Sequence, residues 1–253
     1  MSEQRFHTPH LRGLEITIPA GDVAVETIDG DESSIVIDGD PKLVEQTTVE
    51  LRGDNLVVEF HGKRSLLGIT IAVGDFSIGG GRLHVEARVP HDVKARLATA
   101  SADMKLRGRF AALDTKTASG DLGVDGEIAG DAVVKTVSGD VRLGPVGGEL
   151  RVQSVSGDMR VRSVGGSLVA KSVSGDLRIE SIRAGHAELT SISGDIEVGI
   201  ATGSNVDVDA NTVSGDLSSE VPLASVPGGG DGGPTVVVRG KTVSGDFKVA
   251  RAA

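Results

Sequence analysis

Residues 171–180 read KSVSGDLRIE, and the tripeptide at their centre, Ser174-Gly175-Asp176, occurs seven times between residues 119 and 246. A degenerate copy, Ser101-Ala102-Asp103, precedes the seven. Most successive aspartates of these copies recur at an interval of about 18 residues, and only the last interval, from Asp216 to Asp246, is much longer. Such a regular period indicates a repeat protein whose units stack on one another.

Each period contains two turns and two strands. A second glycine-rich turn, such as Val146-Gly147-Gly148, lies about nine residues after each tripeptide. Between the turns apolar and polar residues alternate, as in Leu177-Arg178-Ile179-Glu180, which is typical of a half-buried strand. Because so small a unit cannot bury its own apolar face, its copies must stack into parallel sheets. The predicted fold is all-β: a single-stranded parallel β-helix (β-solenoid) of about 18 residues per coil, preceded by a β-rich N-terminal capping region.

The repeated tripeptide is interpreted as a structural turn. Glycine supplies the positive φ that a type II turn requires, and Ser and Asp side chains accept hydrogen bonds from turn amides. Val173 and Leu177 are expected to point inward, and the small hydroxyl residue before the valine, such as Ser172, is expected to stack between coils. The predicted turn residues are Ser119, Gly120, Asp121, Ser138, Gly139, Asp140, Ser156, Gly157, Asp158, Ser174, Gly175, Asp176, Ser193, Gly194, Asp195, Ser214, Gly215, Asp216, Ser244, Gly245 and Asp246.

An alternative is a ladder of cation ligands in a β-roll-like module. Its members would be Asp121, Asp140, Asp158, Asp176 and Asp195. Two such charges about 4.8 Å apart in water repel by only about 1 kcal/mol, so the row needs no cation. Calcium-binding rolls also carry aspartate in the second half-coil, where Val164-Gly165-Gly166-Ser167-Leu168 has none. We therefore predict no metal site and no cofactor, and keep the cation-binding module as the second alternative.

The spacing also predicts the domain organisation. Residues 1–13 are expected to be a flexible N-terminus, and residues 14–98, which lack a fixed period, a β-rich capping region. Residues 99–250 carry the solenoid repeats, with a Gly/Pro-rich loop inserted at 221–235. The last repeat in the sequence, near Phe247-Lys248-Val249, is expected to be the open end of the stack. An open end leaves unpaired strand edges, so end-to-end self-association is a further expectation.

Composition limits the partners. The net charge of −10 opposes a phosphate backbone, and five Phe with no Tyr or Trp leave little for base stacking, so no nucleic acid is expected. The absence of Cys excludes thiolate chemistry. No apolar run approaches the roughly 20 residues of a membrane span, and the N-terminus has no signal-like run. The expected location is cytoplasmic.

The sequence offers no catalytic residues. The repeated serines lack a GxSxG context, and seven equivalent nucleophiles have no mechanistic meaning. Glycan-processing β-helices carry clefts lined with aromatic residues, which this chain nearly lacks. The predicted function is a non-enzymatic scaffold or interaction module for an unknown protein or glycan partner. The alternative is a carbohydrate-binding or carbohydrate-processing β-helix protein.

The repeat grammar resembles that of a known bacterial family. Repeats of the form T/S-V-S-G-D followed by alternating apolar residues, the segment GRLHVEARVP at 81–90 and the opening LEITIPAGDVAVET at 14–27 carry the resemblance. The chain resembles the β-strand-repeat, adhesin-like domain family of unknown function over residues 14–250. The resemblance implies a β-helical fold and brings no catalytic residues.

Overall fold

The computed structural model describes residues 2–61, 63–66, 69–72, 81–221 and 233–252. Most of the predicted Gly/Pro-rich loop, residues 222–232, lies outside the described residues. The chain divides into two compact units, Met1–Gly126 and Glu127–Ala253. The fold is all-β, as predicted.

The elements of the first half are β1 (Ser2–His7), β2 (Gly13–Ile28), β3 (Glu32–Gly39), α1 (Pro41–Glu45), β4 (Thr47–Arg52), β5 (Asn55–Phe60), β6 (Lys63–Leu66), β7 (Ile69–Ala72), β8 (Leu83–Pro90), β9 (Val93–Ser119) and β10 (Leu122–Ile128). Those of the second half are β11 (Ala132–Lys135), β12 (Val141–Val146), β13 (Leu150–Gln153), β14 (Met159–Val164), β15 (Leu168–Lys171), β16 (Leu177–Ile182), β17 (Gly185–Thr190), β18 (Ile196–Ile200), β19 (Asn205–Ser214), β20 (Leu217–Ser219), β21 (Thr235–Ser244) and β22 (Phe247–Arg251).

The first unit already contains stacked parallel coils. Strand β2 pairs in parallel with β9, from Gly13 opposite Lys94 to Glu26 opposite Arg107. Its other edge pairs in parallel with β5 and β8. Parallel stacking therefore begins near residue 13, earlier than the predicted start of the repeats at 99. No period was visible here because the capping strands separate the neighbouring coils β2 and β9 in the sequence.

Antiparallel strands cover the outer coil of this unit. Strand β3 pairs antiparallel with β8, and β4 pairs antiparallel with β5. Strand β1 then pairs antiparallel with β3. The predicted β-rich capping region is confirmed, because these strands satisfy edges that a bare coil would leave open. Residues 2–7, predicted to be flexible, form β1 instead, since the free edge of β3 offers them backbone partners.

The second unit stacks coils at the predicted interval. Leu150 lies opposite Ala132, Leu168 opposite Leu150, and Ala187 opposite Leu168. On the neighbouring face β12, β14, β16 and β18 pair in parallel in the same way. Strands β11 to β16 thus each pair with their equivalent one period further along the sequence, which confirms a β-solenoid of about 18 residues per coil.

The last coil in the sequence is not the last coil of the stack. Strands β21 and β22, here called the inserted coil, pair with β17 and β18 on one side. On the other side they pair with β19 and β20, here called the end coil. The expectation that the coil near Phe247 is the open end is therefore wrong. The long interval from Asp216 to Asp246 is compatible with either order, because its extra residues can carry the chain past a neighbouring coil.

Aliphatic side chains fill the interior of the coils. Strand β14 reads MRVRSV, and its Met159, Val161 and Val164 are buried between exposed neighbours. This alternation repeats in β12 and β16, which pair with it in register. The core is built from Val, Ile, Leu and Ala with two fully buried phenylalanines, Phe110 and Phe247.

Candidate functional site

The predicted turns of the second unit lie directly over one another and form a column, here called the corner. Ser138, Ser156, Ser174, Ser193 and Ser244 are bridged in parallel from coil to coil. The amides of the last four serines each donate to the carbonyl of the apolar residue one coil away, as Ser174 does to Val155 at 2.8 Å. The backbone of each turn is thus held by the turns above and below it.

Every corner glycine has the predicted positive φ. The values run from +111° at Gly157 to +144° at Gly215. A Cβ on Gly175 would also overlap the backbone of Gly157 in the adjacent coil. Glycine is required here twice over, because both the local conformation and the close approach of neighbouring turns exclude a side chain.

The corner aspartates form a hydrogen-bond ladder. The Asp158 amide donates to Asp140 Oδ1 at 3.1 Å, and the Asp176 amide donates to Asp158 Oδ1 at 3.0 Å. The ladder continues from Asp195 to Asp176 at 2.9 Å. One oxygen of each accepting carboxylate therefore holds the next turn in place, which gives the motif a geometric role.

The inserted coil occupies its own place in this ladder. The Asp246 amide donates to Asp195 Oδ1, and the Asp216 amide donates to Asp246 Oδ1, both at 2.8 Å. The ladder therefore follows the order of the coils in space rather than in the sequence.

The first unit has a shorter column of the same kind. The Asp121 amide donates to Asp103 Oδ1 at 3.0 Å, so the degenerate copy is a true turn. Asp22 lies opposite Asp103 in register, which adds Ala20-Gly21-Asp22 to the column. The repeat period does not reveal this triplet, because the capping strands separate it in the sequence from its partner turn by several times the repeat length.

Five of the six small hydroxyl residues before the corner are buried, whereas Thr212 on the end coil is half-buried. Ser154 and Ser172 are 7% and 5% exposed, and each donates to the carbonyl of the serine two residues further on. Thr136 and Thr242 do the same. Their bonds are therefore within each turn, where they support its shape.

The apolar residue of the corner points outward, which corrects the expectation for Val173. Val155, Val173, Ile192 and Val243 are 46%, 43%, 52% and 49% exposed, whereas Leu177 is 1% exposed. The reason is strand alternation, since the buried hydroxyl residue immediately before takes the inward position. The four residues, here called the apolar row, lie on successive coils about 4.8 Å apart.

A polar groove lies on the face formed by β14, β16, β18 and β22. Its volume is about 690 Å³. Small residues such as Ser163, Gly199 and Ala250 leave room between longer side chains. The charged residues that line it are Arg160, Arg162, Arg178, Glu180, Glu197, Glu220, Lys248 and Arg251.

Ion pairs organise the groove. Arg160 Nε lies 2.7 Å from Glu180 Oε1, and Arg178 Nη1 lies 2.9 Å from Glu197 Oε2. Lys248 Nζ lies 2.8 Å from Glu220 Oε1, and this hydrogen bond raises the pKa of Lys248. Such alternating donors and acceptors suit hydroxyl and carboxylate groups of a ligand.

Neither a metal centre nor a membrane-spanning helix is found where the structure describes the chain. No three His, Cys, Asp or Glu side chains there are grouped to hold a metal ion. No helix there is long and apolar enough to cross a bilayer. The ladder of Asp121, Asp140, Asp158, Asp176 and Asp195 as cation ligands stays the second alternative, and the absence of a metal site stays a prediction.

The stacked parallel coils with their turn columns agree with a family assignment. A profile of the Toastrack DUF4097 family matches residues 13–250. The chain belongs to this family. No curated protein matches it.

Solved structures share the fold of this chain. A putative adhesin from Bacteroides fragilis is 13% identical with a TM-score of 0.54, over 98% of this chain and 96% of its own. A putative lipid binding protein from Parabacteroides distasonis is 11% identical with a TM-score of 0.50, also over 98% and 96%. At these identities the likeness shows the fold alone.

Proposed function

We propose that this Toastrack chain is a non-enzymatic, adhesin-like interaction module that holds a protein partner along the corner. The observation that carries the proposal is the apolar row, which exposes four β-branched residues on consecutive coils. Contiguous exposed apolar surface marks interaction sites, whereas isolated apolar residues do not.

The corner is suited to many weak contacts rather than one strong contact. Its turns repeat about every 4.8 Å and are fixed by backbone hydrogen bonds, so little conformational entropy is lost on binding. The aspartate ladder runs beside the apolar row and adds negative charge. A partner that presents apolar and basic side chains fits this surface, and avidity over several coils compensates for weak single contacts.

The test compares wild-type protein with a variant that carries Val155→Thr, Val173→Thr, Ile192→Thr and Val243→Thr. Threonine keeps the β-branched shape and makes the row polar. Both proteins are passed over immobilised mucin, fibronectin, collagen and a glycan panel in surface plasmon resonance. We expect saturable binding of the wild type to a protein surface and its loss in the variant at equal melting temperature. Equal binding by the two proteins, or no binding by the wild type, overturns the proposal.

The groove favours a second function, recognition of an acidic carbohydrate. Basic side chains outnumber acidic ones along its walls, and Arg160 and Arg178 are oriented by ion pairs with Glu180 and Glu197. Arginine binds carboxylate and sulfate groups through paired N–H donors. The expected result is binding to carboxylated or sulfated glycans that is lost when Arg162→Ala and Arg178→Ala are combined. Retained binding in that variant excludes the groove as the glycan site. Binding at the corner is tested separately, by the threonine variant of the apolar row.

A further inference from the structure

The charges of the last three coils alternate in space. The inserted coil carries Arg239, Lys241, Lys248 and Arg251 against one acidic residue, Asp246. The coil before it, residues 185–200, carries Glu188, Asp195 and Glu197 and no Lys or Arg. The end coil with the residue that follows it carries Asp207, Asp209, Asp216 and Glu220 and no Lys or Arg. A basic coil thus lies between two acidic ones.

Strand register places these charges side by side. Arg239 lies opposite Glu188 on one side and opposite Asp209 on the other. If the end coil stacked directly on residues 185–200, Glu188 and Asp209 would be neighbours, and like charges directly opposite are destabilising. The alternation therefore favours the coil order in space over the order in the sequence.

The outer edge of the end coil has no strand partner within the described residues. Strand β19 pairs only with β21, and β20 only with β22. Leu217 is 52% exposed, whereas Phe247, opposite it in the inserted coil, is 1% exposed. Leu217 therefore faces the interior side of a coil that no described residue covers.

Backbone groups also face this edge. The Asn205 amide donates to the Pro234 carbonyl, so the backbone N–H and C=O groups of Asn205 face the inserted coil. Because successive strand residues point their backbone groups to opposite sides, Val208 and Ala210 present theirs to the outer edge. The Asp216 amide binds Asp246, but no described group donates to the Asp216 carboxylate, so the ladder stops with an acceptor.

The end coil of a second copy does not fit this edge. Two end coils facing each other would bring acidic residues together, including Asp207 and Asp209 of each copy. An acidic edge instead selects a basic strand, and the inserted coil is a basic strand already paired with the inner edge of the same coil. The acidic charge of the edge and the pairing of β19 with the basic strand β21 therefore indicate that a basic strand occupies the outer edge.

We propose that the outer edge of the end coil binds an extended basic segment of another polypeptide by strand addition. The segment alternates apolar residues, which cover Leu217 and Val208, with Lys or Arg residues beside Asp207 and Asp209. Its amides bond to the backbone of Val208 and Ala210. This site goes beyond the proposed function, because it lies at the end of the stack rather than along the corner or the groove.

The probe is a synthetic peptide with the sequence of residues 235–251, TVVVRGKTVSGDFKVAR, labelled with a fluorophore. It is titrated into the full chain and followed by fluorescence anisotropy. We expect one-to-one binding that weakens as salt rises. A control peptide with the changes R239E, K241E and K248E should bind with an affinity lower by about tenfold or more. Equal binding of the two peptides, or none of the basic one, overturns the proposal.

Two protein variants locate the site. Ala210→Pro removes an outer-edge donor while leaving the bonds to β21, and Leu217→Lys places a charge where an apolar residue must dock. Both substitutions should abolish binding of the peptide. If Ala210→Pro does not fold, Leu217→Lys still decides the test. Hydrogen exchange should show new protection at Val208 and Ala210 with β21 still protected. Loss of protection in β21 would mean that the peptide replaces the inserted coil, which also overturns the proposal.

Discussion

Replacement of Asp176 by Asn and by Ala separates a structural ladder from a cation site. The Asp176 carboxylate accepts the Asp195 amide at 2.9 Å, and the Asp176 amide donates to Asp158 at 3.0 Å. Asparagine keeps a side-chain oxygen for the Asp195 amide, whereas alanine removes it. Both substitutions remove the same negative charge, so a comparison between them isolates the hydrogen bond.

The expected change in the free energy of unfolding follows from the repulsion between aspartates and from the hydrogen bond to the Asp195 amide. Loss of repulsion from Asp158 and Asp195 is worth about 1 kcal/mol for each neighbour in water, and both variants share this gain. Both also lose the charge-assisted hydrogen bond to the Asp195 amide, which is worth about 1.5–3 kcal/mol. A neutral hydrogen bond contributes about 0.5–1.5 kcal/mol to stability, and only Asn retains it. We therefore expect Asp176→Asn to lie within about 1 kcal/mol of wild type and about 1 kcal/mol above Asp176→Ala. For a chain of this length that difference corresponds to roughly 2–4 °C in melting temperature.

The assay is differential scanning calorimetry of the three proteins with EDTA or with millimolar calcium chloride. The geometric role predicts that calcium raises the wild-type melting temperature no more than sodium chloride of equal ionic strength. It also predicts the order Asn above Ala. If calcium specifically stabilises the wild type, and Asn and Ala fall together to a common lower value, the aspartates are cation ligands and the reasoning is wrong.

Three further results are expected. In urea unfolding, Gly175→Ala should lower the free energy of unfolding by about 2–6 kcal/mol, because alanine is strained at positive φ and its Cβ overlaps the adjacent turn. The control Gly203→Ala, at a φ of +83° but with open space around it, should cost only about 1–2 kcal/mol. Equal losses in the two variants would contradict the tight stacking of turns. Phe247→Ala should cost about 3–5 kcal/mol because this side chain is fully buried, while a small loss would place its coil at the open end. The hydrogen bonds from Arg109 lower the pKa of Asp92, so their contribution to the free energy of unfolding is present above about pH 4 and is lost as pH falls through the folded-state pKa. The free energy of unfolding should therefore decline less steeply with acid in Arg109→Gln than in the wild type. Equal slopes in the two proteins would refute the role of the pair.

The sequence predicted the fold because its strongest signal, a glycine that must adopt positive φ, recurs once per coil. It could not predict the direction of Val173, since the turn allows either neighbour to point inward and the buried hydroxyl of Ser172 decides it. It could not predict the coil order, because the charges that favour this order lie on three separate coils.

The groove was also not predicted, because its residues come from several coils and are far apart in the sequence. A signal was present, however. Arg142, Arg160 and Arg178 recur at the coil period and lie side by side in the structure. Periodicity in charged residues, read together with that of the turns, would have indicated a basic row on one face.

The inserted coil has a consequence for protein synthesis. Residues 205–219 leave the ribosome before residues 235–251, on which they stack. The pairing of β19 and β20 with these later strands can therefore finish only after translation has passed residue 251. Folding of this region is obliged to be late, whatever the speed at which the earlier coils assemble.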